Sequence, residues 1–156
     1  MKQQINSDCV FCKIAKGEIP SAKIWEDKKY FAFLDMNPVT KGHTLLIPKK
    51  HDDYIFDMKK GEYAKLMLTS KKVAKILKEK LNPKRVGIIV EGFGVPHVHI
   101  HLIPINKPDE IIQKKTKMSS EELNKIAEKI LKWKFQLFPE VGLLEMIKTR
   151  WRFHNG

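Results

Sequence analysis

The pattern of apolar and polar positions predicts short strands in the first half of the chain, followed by a long helix. Two β-rich runs at residues 22–26 and 30–35 flank a polar turn, which indicates a hairpin. Residues 44–47 form a continuous apolar run, typical of a strand covered on both faces. From about residue 57 to residue 81, apolar residues recur at helical spacing with lysines opposite them. This stretch is predicted to pack as an amphipathic helix on the sheet.

Shorter signals predict the remaining elements. Apolar residues at helical spacing between Asp8 and Gly17 predict a short helix. Asp8 can cap its first turn, and Gly17 can end it. Residues 86–90 predict a strand that turns through a glycine-containing segment into a second apolar run, which indicates another hairpin. Ser119 and Glu122 form a capping-box pattern, so a second amphipathic helix is predicted to begin there.

The most informative stretch lies in the strand of that second hairpin, where histidine occupies every second position. His97, His99 and His101 alternate with apolar residues and therefore share one face of the predicted strand. Imidazole can act as a nucleophile, a proton carrier or a metal ligand, so three in a row predict a functional site. The alternative is a solvated polar face or a tag-like run, but the interleaved β-branched residues favour a packed strand.

Length and composition predict one ordinary domain with a C-terminal extension. The chain has 156 residues, of which 42% are hydrophobic. No apolar run approaches the ~20 residues that span a bilayer, and residues 1–7 are too polar to begin a secretory signal. We therefore expect a soluble, intracellular and cytoplasmic protein without a membrane partner.

The charge balance favours anionic partners. Lys and Arg number 30 against 18 Asp and Glu, which gives a net charge of +12. The charge is equally compatible with phosphates, nucleotides and nucleic acid as partners. Alternatively, the lysines form a solvated basic surface that binds no particular partner. A basic and aromatic stretch at residues 143–153 can stack nucleobases, or it can pack on the domain or on a partner subunit.

The two cysteines form a Cys-x-x-Cys motif that is either half of a metal site or a redox pair. Cys9 and Cys12 precede a short segment that ends at Gly17 and Pro20, whereas a thioredoxin-like pair lies between a strand and a helix. This context favours metal. The remaining alternative is that both thiols are simply small buried side chains.

The run from His97 to Ile103, with three histidines alternating with apolar residues, resembles the signature of the histidine triad (HIT) superfamily. The resemblance continues upstream, in the family's order, through residues 9–14, 17–20, 33–35 and 42–51. It covers roughly residues 8–106 and implies an α+β fold with a central antiparallel sheet. The apolar patterns add one long helix packed on that sheet and a C-terminal helical extension beyond the resemblance. We accordingly divide the chain into a catalytic domain at residues 1–106 and an extension of unknown role at residues 107–156.

The resemblance also implies a function. Family members bind nucleotides, usually as homodimers, and hydrolyse or transfer nucleoside monophosphate groups. By resemblance, His99 attacks the α-phosphorus and carries a covalent nucleotidyl group, the carbonyl of His97 holds the His99 ring, and His101 contacts the phosphate oxygens. The expected substrate is a nucleotide, preferably a purine, of the phosphoramidate or dinucleoside polyphosphate type. No catalytic metal is expected.

The zinc-binding branch of the superfamily supplies a ligand set for the cysteine motif. Carried over residue by residue, Cys9, Cys12, His51 and His97 form a Cys₂His₂ set, which is typical of structural Zn²⁺. Such a site would attach the N-terminal helix to the histidine strand.

The nucleotide-binding positions follow from the same resemblance. Asp35 matches the group that hydrogen-bonds the ribose hydroxyls, although an Asp before Pro38 can also simply form a turn. The positions around the base match Phe11, Ile14, Ile19 and Leu34, each of which can equally be ordinary core. His43 also fits the family pattern, but we assign it no catalytic role.

The chain departs from the family in the loop before the histidines. Many members place Asn, a glycine pair and then Ser or Gln there, whereas residues 90–96 are shorter and offer Glu91 and Gly94. We expect Glu91 to point away from the phosphates or to take another role. This departure keeps open a second function, a nucleotide-binding module with little turnover. The basic charge and the C-terminal tail keep open a third, an enzyme that removes nucleotide groups from nucleic acid ends.

Overall fold

A computed structural model describes residues 8–132, which form a five-stranded antiparallel sheet with helices on both faces. The strands are β1 (Lys23–Glu26), β2 (Tyr30–Leu34), β3 (Thr44–Pro48), β4 (Arg85–Val90) and β5 (Ile100–Ile105), in the spatial order β1-β2-β3-β5-β4. The helices are α1 (Val10–Lys16), α2 (Lys60–Leu81) and α3 (Ser120–Leu131), with short 3₁₀ turns at Ile55–Asp57 and Pro108–Ile112. The predicted α+β class, both hairpins and the long helix are confirmed.

The sheet separates two groups of buried side chains. On β2, Phe31 and Phe33 point towards α1, whereas Ala32 and Leu34 point towards the two longer helices. We call the side covered by α1 the histidine face. In β5, Ile100 and Leu102 point to the opposite side, so His101, which lies between them in sequence, points to the histidine face. Both faces are therefore covered, and every residue of β2 and β3 is buried. This explains the continuous apolar run that predicted β3.

The two longer helices cover the opposite face. Leu66, Val73 and Leu77 of α2 are fully buried against the sheet, as the helical spacing predicted. The N-terminus of α3 has the predicted capping box: the Ser119 hydroxyl accepts from the Glu122 N–H at 3.3 Å, and the Glu122 carboxylate accepts from the Ser119 N–H at 2.9 Å.

The core is continuous across residue 106. The buried face of α3 belongs to the same core cluster as β1, β2 and α2, and it consists of Leu123, Ile126, Ala127 and Ile130. The division at residue 106 stays a prediction. The N-terminal residues 1–7 and the basic aromatic stretch at residues 143–153 lie outside the described part of the chain. Between residues 8 and 132, no helix is both long and apolar enough to cross a membrane.

Three predicted boundaries are wrong. Cys9, not Asp8, is the N-cap of α1, and its side chain makes no capping bond. The long helix begins at Lys60, after a 3₁₀ turn. The histidine strand begins only at Ile100, because the Val98 N–H donates to the carbonyl of Asp52 at 2.7 Å instead of joining the sheet ladder. His97 and His99 therefore lie in an extended segment just before β5.

The turn before β3 requires glycine at position 42. Gly42 has φ +87°, a conformation that side-chain-bearing residues rarely adopt. A Cβ atom here would collide with Leu81 at the end of α2, and it would lie 3.4 Å from the ring of Pro104. Backbone strain and crowding therefore act together at this position.

We expect Gly42→Ala to lower the free energy of unfolding by about 1–3 kcal/mol, because alanine is strained at positive φ and meets Leu81. Gly61→Ala is the matched control, since Gly61 is helical and a Cβ there has no atom within 4 Å. It should raise the free energy of unfolding by about 0.5–1 kcal/mol. Urea unfolding followed by circular dichroism measures both changes. Equal effects of the two substitutions would contradict the assignment.

Candidate active site and metal centre

His99 is oriented by a backbone carbonyl. Its Nδ1–H donates to the carbonyl oxygen of His97 at 2.6 Å, and its ring is buried. A carbonyl oxygen can only accept, so the proton lies on Nδ1 and the Nε2 atom keeps its lone pair. The ring therefore presents a nucleophilic nitrogen, in the arrangement that the family resemblance predicted.

His101 is oriented by a chain of two hydrogen bonds that begins at the backbone of Val39. The Val39 N–H donates to Nδ1 of His43 at 3.1 Å, so the His43 proton must lie on Nε2. That Nε2–H donates in turn to Nδ1 of His101 at 2.9 Å, which leaves the His101 proton on Nε2. The His101 Nε2 atom is buried and has no hydrogen-bond partner within residues 8–132. It is a donor without an acceptor.

We call the hydrogen-bonded pair of His43 and His101 the relay. Burial keeps both of its rings neutral. Desolvation lowers the pKa of His43 to about 4, although the nearby Asp35 carboxylate opposes the shift. Desolvation also lowers the pKa of His101 to about 3, and the neighbouring His43 and His99 rings add to the effect. At neutral pH, His101 therefore offers an uncharged N–H. Sequence reasoning assigned no role to His43, because its contact with His101 joins positions 58 residues apart.

Asp35 forms the turn after β2 and also lies beside His43. Its Oδ1 atom accepts from the Asn37 N–H at 2.9 Å, and its Oδ2 atom is 3.7 Å from His43 Nδ1. The turn-forming role is therefore present. The ribose contact stays a prediction.

The predicted base-binding residues are only partly brought together. The Phe11 ring meets the His99 ring edge-on, with centroids 5.1 Å apart, and Ile14 and Ile19 belong to the same cluster on the histidine face. Leu34 lies instead in the opposite cluster, below α2. Its neighbour Phe33 points to the histidine face and packs against Phe11 at 5.8 Å. Strand alternation in β2 was the signal that distinguishes these two residues.

The four predicted metal ligands converge beside His97. The His97 Nδ1 atom lies 3.4 Å from Cys9 Sγ and 3.6 Å from Cys12 Sγ, and His51 Nδ1 lies 3.4 Å from Cys12 Sγ. All four ligand atoms lie within 4.8 Å of one another. Ordinary zinc–sulfur and zinc–nitrogen bonds at the tetrahedral angle would place sulfur about 3.6 Å from nitrogen.

The hydrogen bond made by the other ring nitrogen of His97, Nε2, also fits a metal ligand. Its Nε2–H donates to the carbonyl of Pro48 at 2.9 Å, so Nδ1 keeps a lone pair directed at the thiols. Cys9 is the N-cap of α1 and Cys12 lies within this helix, whereas His51 follows β3 and His97 precedes β5. The cluster can hold a tetrahedral metal ion that would join three separate segments of the fold.

Glu91 lies next to the histidines, at the end of β4. One carboxylate oxygen and one ring nitrogen each of His99 and His101 are all within 4.8 Å of one another. Glu91 therefore does not point away from the histidines, and the second alternative, another role for this side chain, stays a prediction. The short loop returns the chain directly from β4 to the histidine segment, and this brings the carboxylate to the edge of the site.

Comparison with known proteins agrees with this geometry. The family model of the HIT domain matches residues 16–107. The chain belongs to the HIT family. An uncharacterised HIT-like protein of Methanocaldococcus jannaschii is 38% identical over 127 residues, which cover 78% of this chain and 98% of the relative.

Two further HIT proteins bear on the site. The adenosine 5'-monophosphoramidase HNT1 of Candida albicans is 39% identical over 114 residues, which cover 67% of this chain and 74% of the relative. The crystal structure of a zinc-bound histidine triad family protein from Mycobacterium smegmatis superposes with a TM-score of 0.69 at 28% identity, covering 83% of this chain and 97% of that one.

The buried relay predicts that this HIT protein loses stability in acid. The folded pKa of His43, about 4, lies below the ordinary value of 6.5, so protonation favours the unfolded chain as pH falls below 6.5. His43→Gln removes this titration and keeps an N–H for His101. Between pH 7 and pH 5, the wild type should lose about 2 kcal/mol more unfolding free energy than His43→Gln. Urea unfolding at both pH values measures the difference, and identical losses would contradict the prediction.

Proposed function

We propose that this chain is a nucleoside-phosphate hydrolase or nucleotidyl transferase that forms a covalent nucleotidyl-histidine at His99. The observation that carries the proposal is the pair of fixed tautomers, with a free lone pair on His99 Nε2 beside an unpartnered N–H on His101. Membership of the HIT family and the name of the Candida albicans relative support a HIT-type nucleotide hydrolase.

The reaction proceeds in two displacements. The lone pair of His99 Nε2 forms a bond to the α-phosphorus, and the bond from phosphorus to the leaving group breaks with its electron pair. The His101 Nε2–H donates to a phosphate oxygen, where negative charge must be stabilised during transfer. Water then attacks the same phosphorus and gives a proton to solvent, while the bond from phosphorus to His99 Nε2 breaks and returns its electron pair to that nitrogen. A second acceptor in place of water makes the reaction a transfer.

The nucleotide would bind on the histidine face. Phe11, Ile14 and Ile19 supply an apolar surface next to His99, which suits a purine base, and Asp35 would contact the ribose. Homodimerisation is supported by β4, an edge strand on which Ile88 and Val90 are exposed. Processing of nucleic acid ends stays a prediction that rests on the net charge and on the basic aromatic sequence at residues 143–153.

Replacing the proposed nucleophile tests the enzyme assignment. His99→Ala should reduce the release of AMP from adenosine 5'-phosphoramidate by roughly 10³-fold or more, because no other group replaces the attacking nitrogen. Chromatography of the products measures the rate, and mass spectrometry of quenched wild type should detect one nucleotidyl group on His99. Equal rates in the two proteins would refute the mechanism. Tight AMP binding by a wild type without turnover would instead identify a nucleotide-binding module.

We further propose that Cys9, Cys12, His51 and His97 hold structural Zn²⁺. The tetrahedral spacing of their sulfur and nitrogen atoms and the Pro48 carbonyl behind His97 support this assignment. When bound, the ion would attach α1, and with it Phe11, to the histidine segment. No reaction step passes through it.

Two substitutions of the same type distinguish the metal cluster from the relay. His51→Gln should lower bound zinc from about one equivalent per chain to below about half and should reduce the melting temperature. His43→Gln is the matched control and should retain the metal, because His43 is not part of the cluster. Elemental analysis of purified protein measures the content. Full zinc content in His51→Gln would exclude the proposed ligand set.

A further inference from the structure

Glu91 is a charged group at the catalytic centre that the proposed mechanism does not use. Its carboxylate lies within 4.8 Å of ring nitrogens of His99 and His101, yet it makes no hydrogen bond or ion pair within residues 8–132. Gly94 leaves space beside it, since even an added Cβ there would lie 4.0 Å from Glu91 Oε1. The negative charge is therefore directed at the site without a cationic partner in this part of the chain.

A second metal site does not explain this arrangement. Coordination by His101 would require a lone pair on Nε2, but the hydrogen bonds from Val39 through His43 place a proton on that atom. Moving the proton would leave the Val39 N–H facing a protonated nitrogen of His43. The site thus places the anionic Glu91 beside a nucleophile, His99, and an N–H donor, His101. An anion in this position can make the reaction rate depend on the charge of the substrate.

The carboxylate acts differently on different leaving groups. Every nucleotide substrate brings the same α-phosphate to His99, so the repulsion between Glu91 and that phosphate is common to all of them. The leaving group differs from substrate to substrate, and it lies within about one Debye length, ~8–10 Å, of a group beside the nucleophile. A polyphosphate leaving group adds repulsion, whereas an amine with a positive charge adds attraction.

We propose that Glu91 is a specificity residue that favours nucleoside phosphoramidates with neutral or cationic amine leaving groups and disfavours dinucleoside polyphosphates. The inference rests on the proposed function, and it selects one of the two substrate types that the family resemblance implied. The amine departs with the electron pair of its bond to phosphorus and takes a proton from solvent. Glu91 forms no covalent bond and contributes only its charge.

Three probes that differ only in the tail of the leaving amine test the proposal. They are adenosine 5'-phosphoramidates of ethylenediamine, propylamine and β-alanine, with cationic, neutral and anionic tails. In the wild type, kcat/KM for the cationic probe should exceed that for the anionic probe by roughly tenfold or more. This ratio should fall several-fold when the salt concentration rises from about 0.05 M to about 0.5 M.

Variants at position 91 identify the source of this preference. At low salt, Glu91→Gln should lower the ratio of kcat/KM for the cationic probe to kcat/KM for the anionic probe. Its value should be close to the value that the wild type shows at high salt. Glu91→Lys should invert the ratio, so that the anionic probe reacts faster. Glu79→Gln and Glu79→Lys make the same charge changes on an exposed position of α2 and should keep the wild-type ratio. A ratio that is unchanged in Glu91→Gln, or that shifts equally in the Glu79 variants, overturns the proposal.

The failure of the proposed function has a different signature. If the wild type converts none of the three probes, the hydrolase assignment fails, and their dissociation constants then decide the role of Glu91. Calorimetry on His99→Ala, with and without Glu91→Gln, measures binding of the intact probes. The cationic probe should bind more tightly than the anionic one only where Glu91 is present. Equal affinities in both proteins would exclude a charge preference at this position.

Discussion

Backbone groups decide which nitrogen of each site histidine carries a proton. The carbonyls of Pro48 and His97 accept from His97 and His99, and the N–H of Val39 donates to His43. A backbone group cannot change between donor and acceptor, so each ring has a single tautomer. The three histidines thereby present three different groups: a lone pair directed at the cysteine thiols on His97, a free lone pair on His99 and an N–H donor on His101.

The two-sided burial of the sheet makes these hydrogen bonds possible. β3 and β5 are interior strands of the sheet. Side chains of β3 pack against α1 on the histidine face, and side chains of β5 pack against α2 on the opposite face. His43, His97, His99 and His101 are all at most 5% exposed, so water competes little for their ring nitrogens. The Cys₂His₂ cluster lies where the short α1 meets this sheet, and a helix of 7 residues has little stability of its own.

Glu91 contrasts with the buried histidines. It is exposed, and its position depends on the short connection between β4 and the histidine segment, not on packing. A surface charge of this kind adds little to stability, but it changes the potential that an incoming anion experiences. A residue that contributes little to folding can therefore still influence which anions approach the site.

Local patterns in the sequence predicted much of this protein. Alternation and helical spacing determine the strands, α2 and the capping box of α3, because these depend on neighbours within a few residues. The motifs around Cys9, His51 and His97 predicted a cluster of cysteine and histidine side chains, and these side chains do converge. The contact of His43 with His101 and the position of the Glu91 side chain were decided only by tertiary structure. They depend on contacts between distant segments and on the length of one loop, and no local periodicity encodes either.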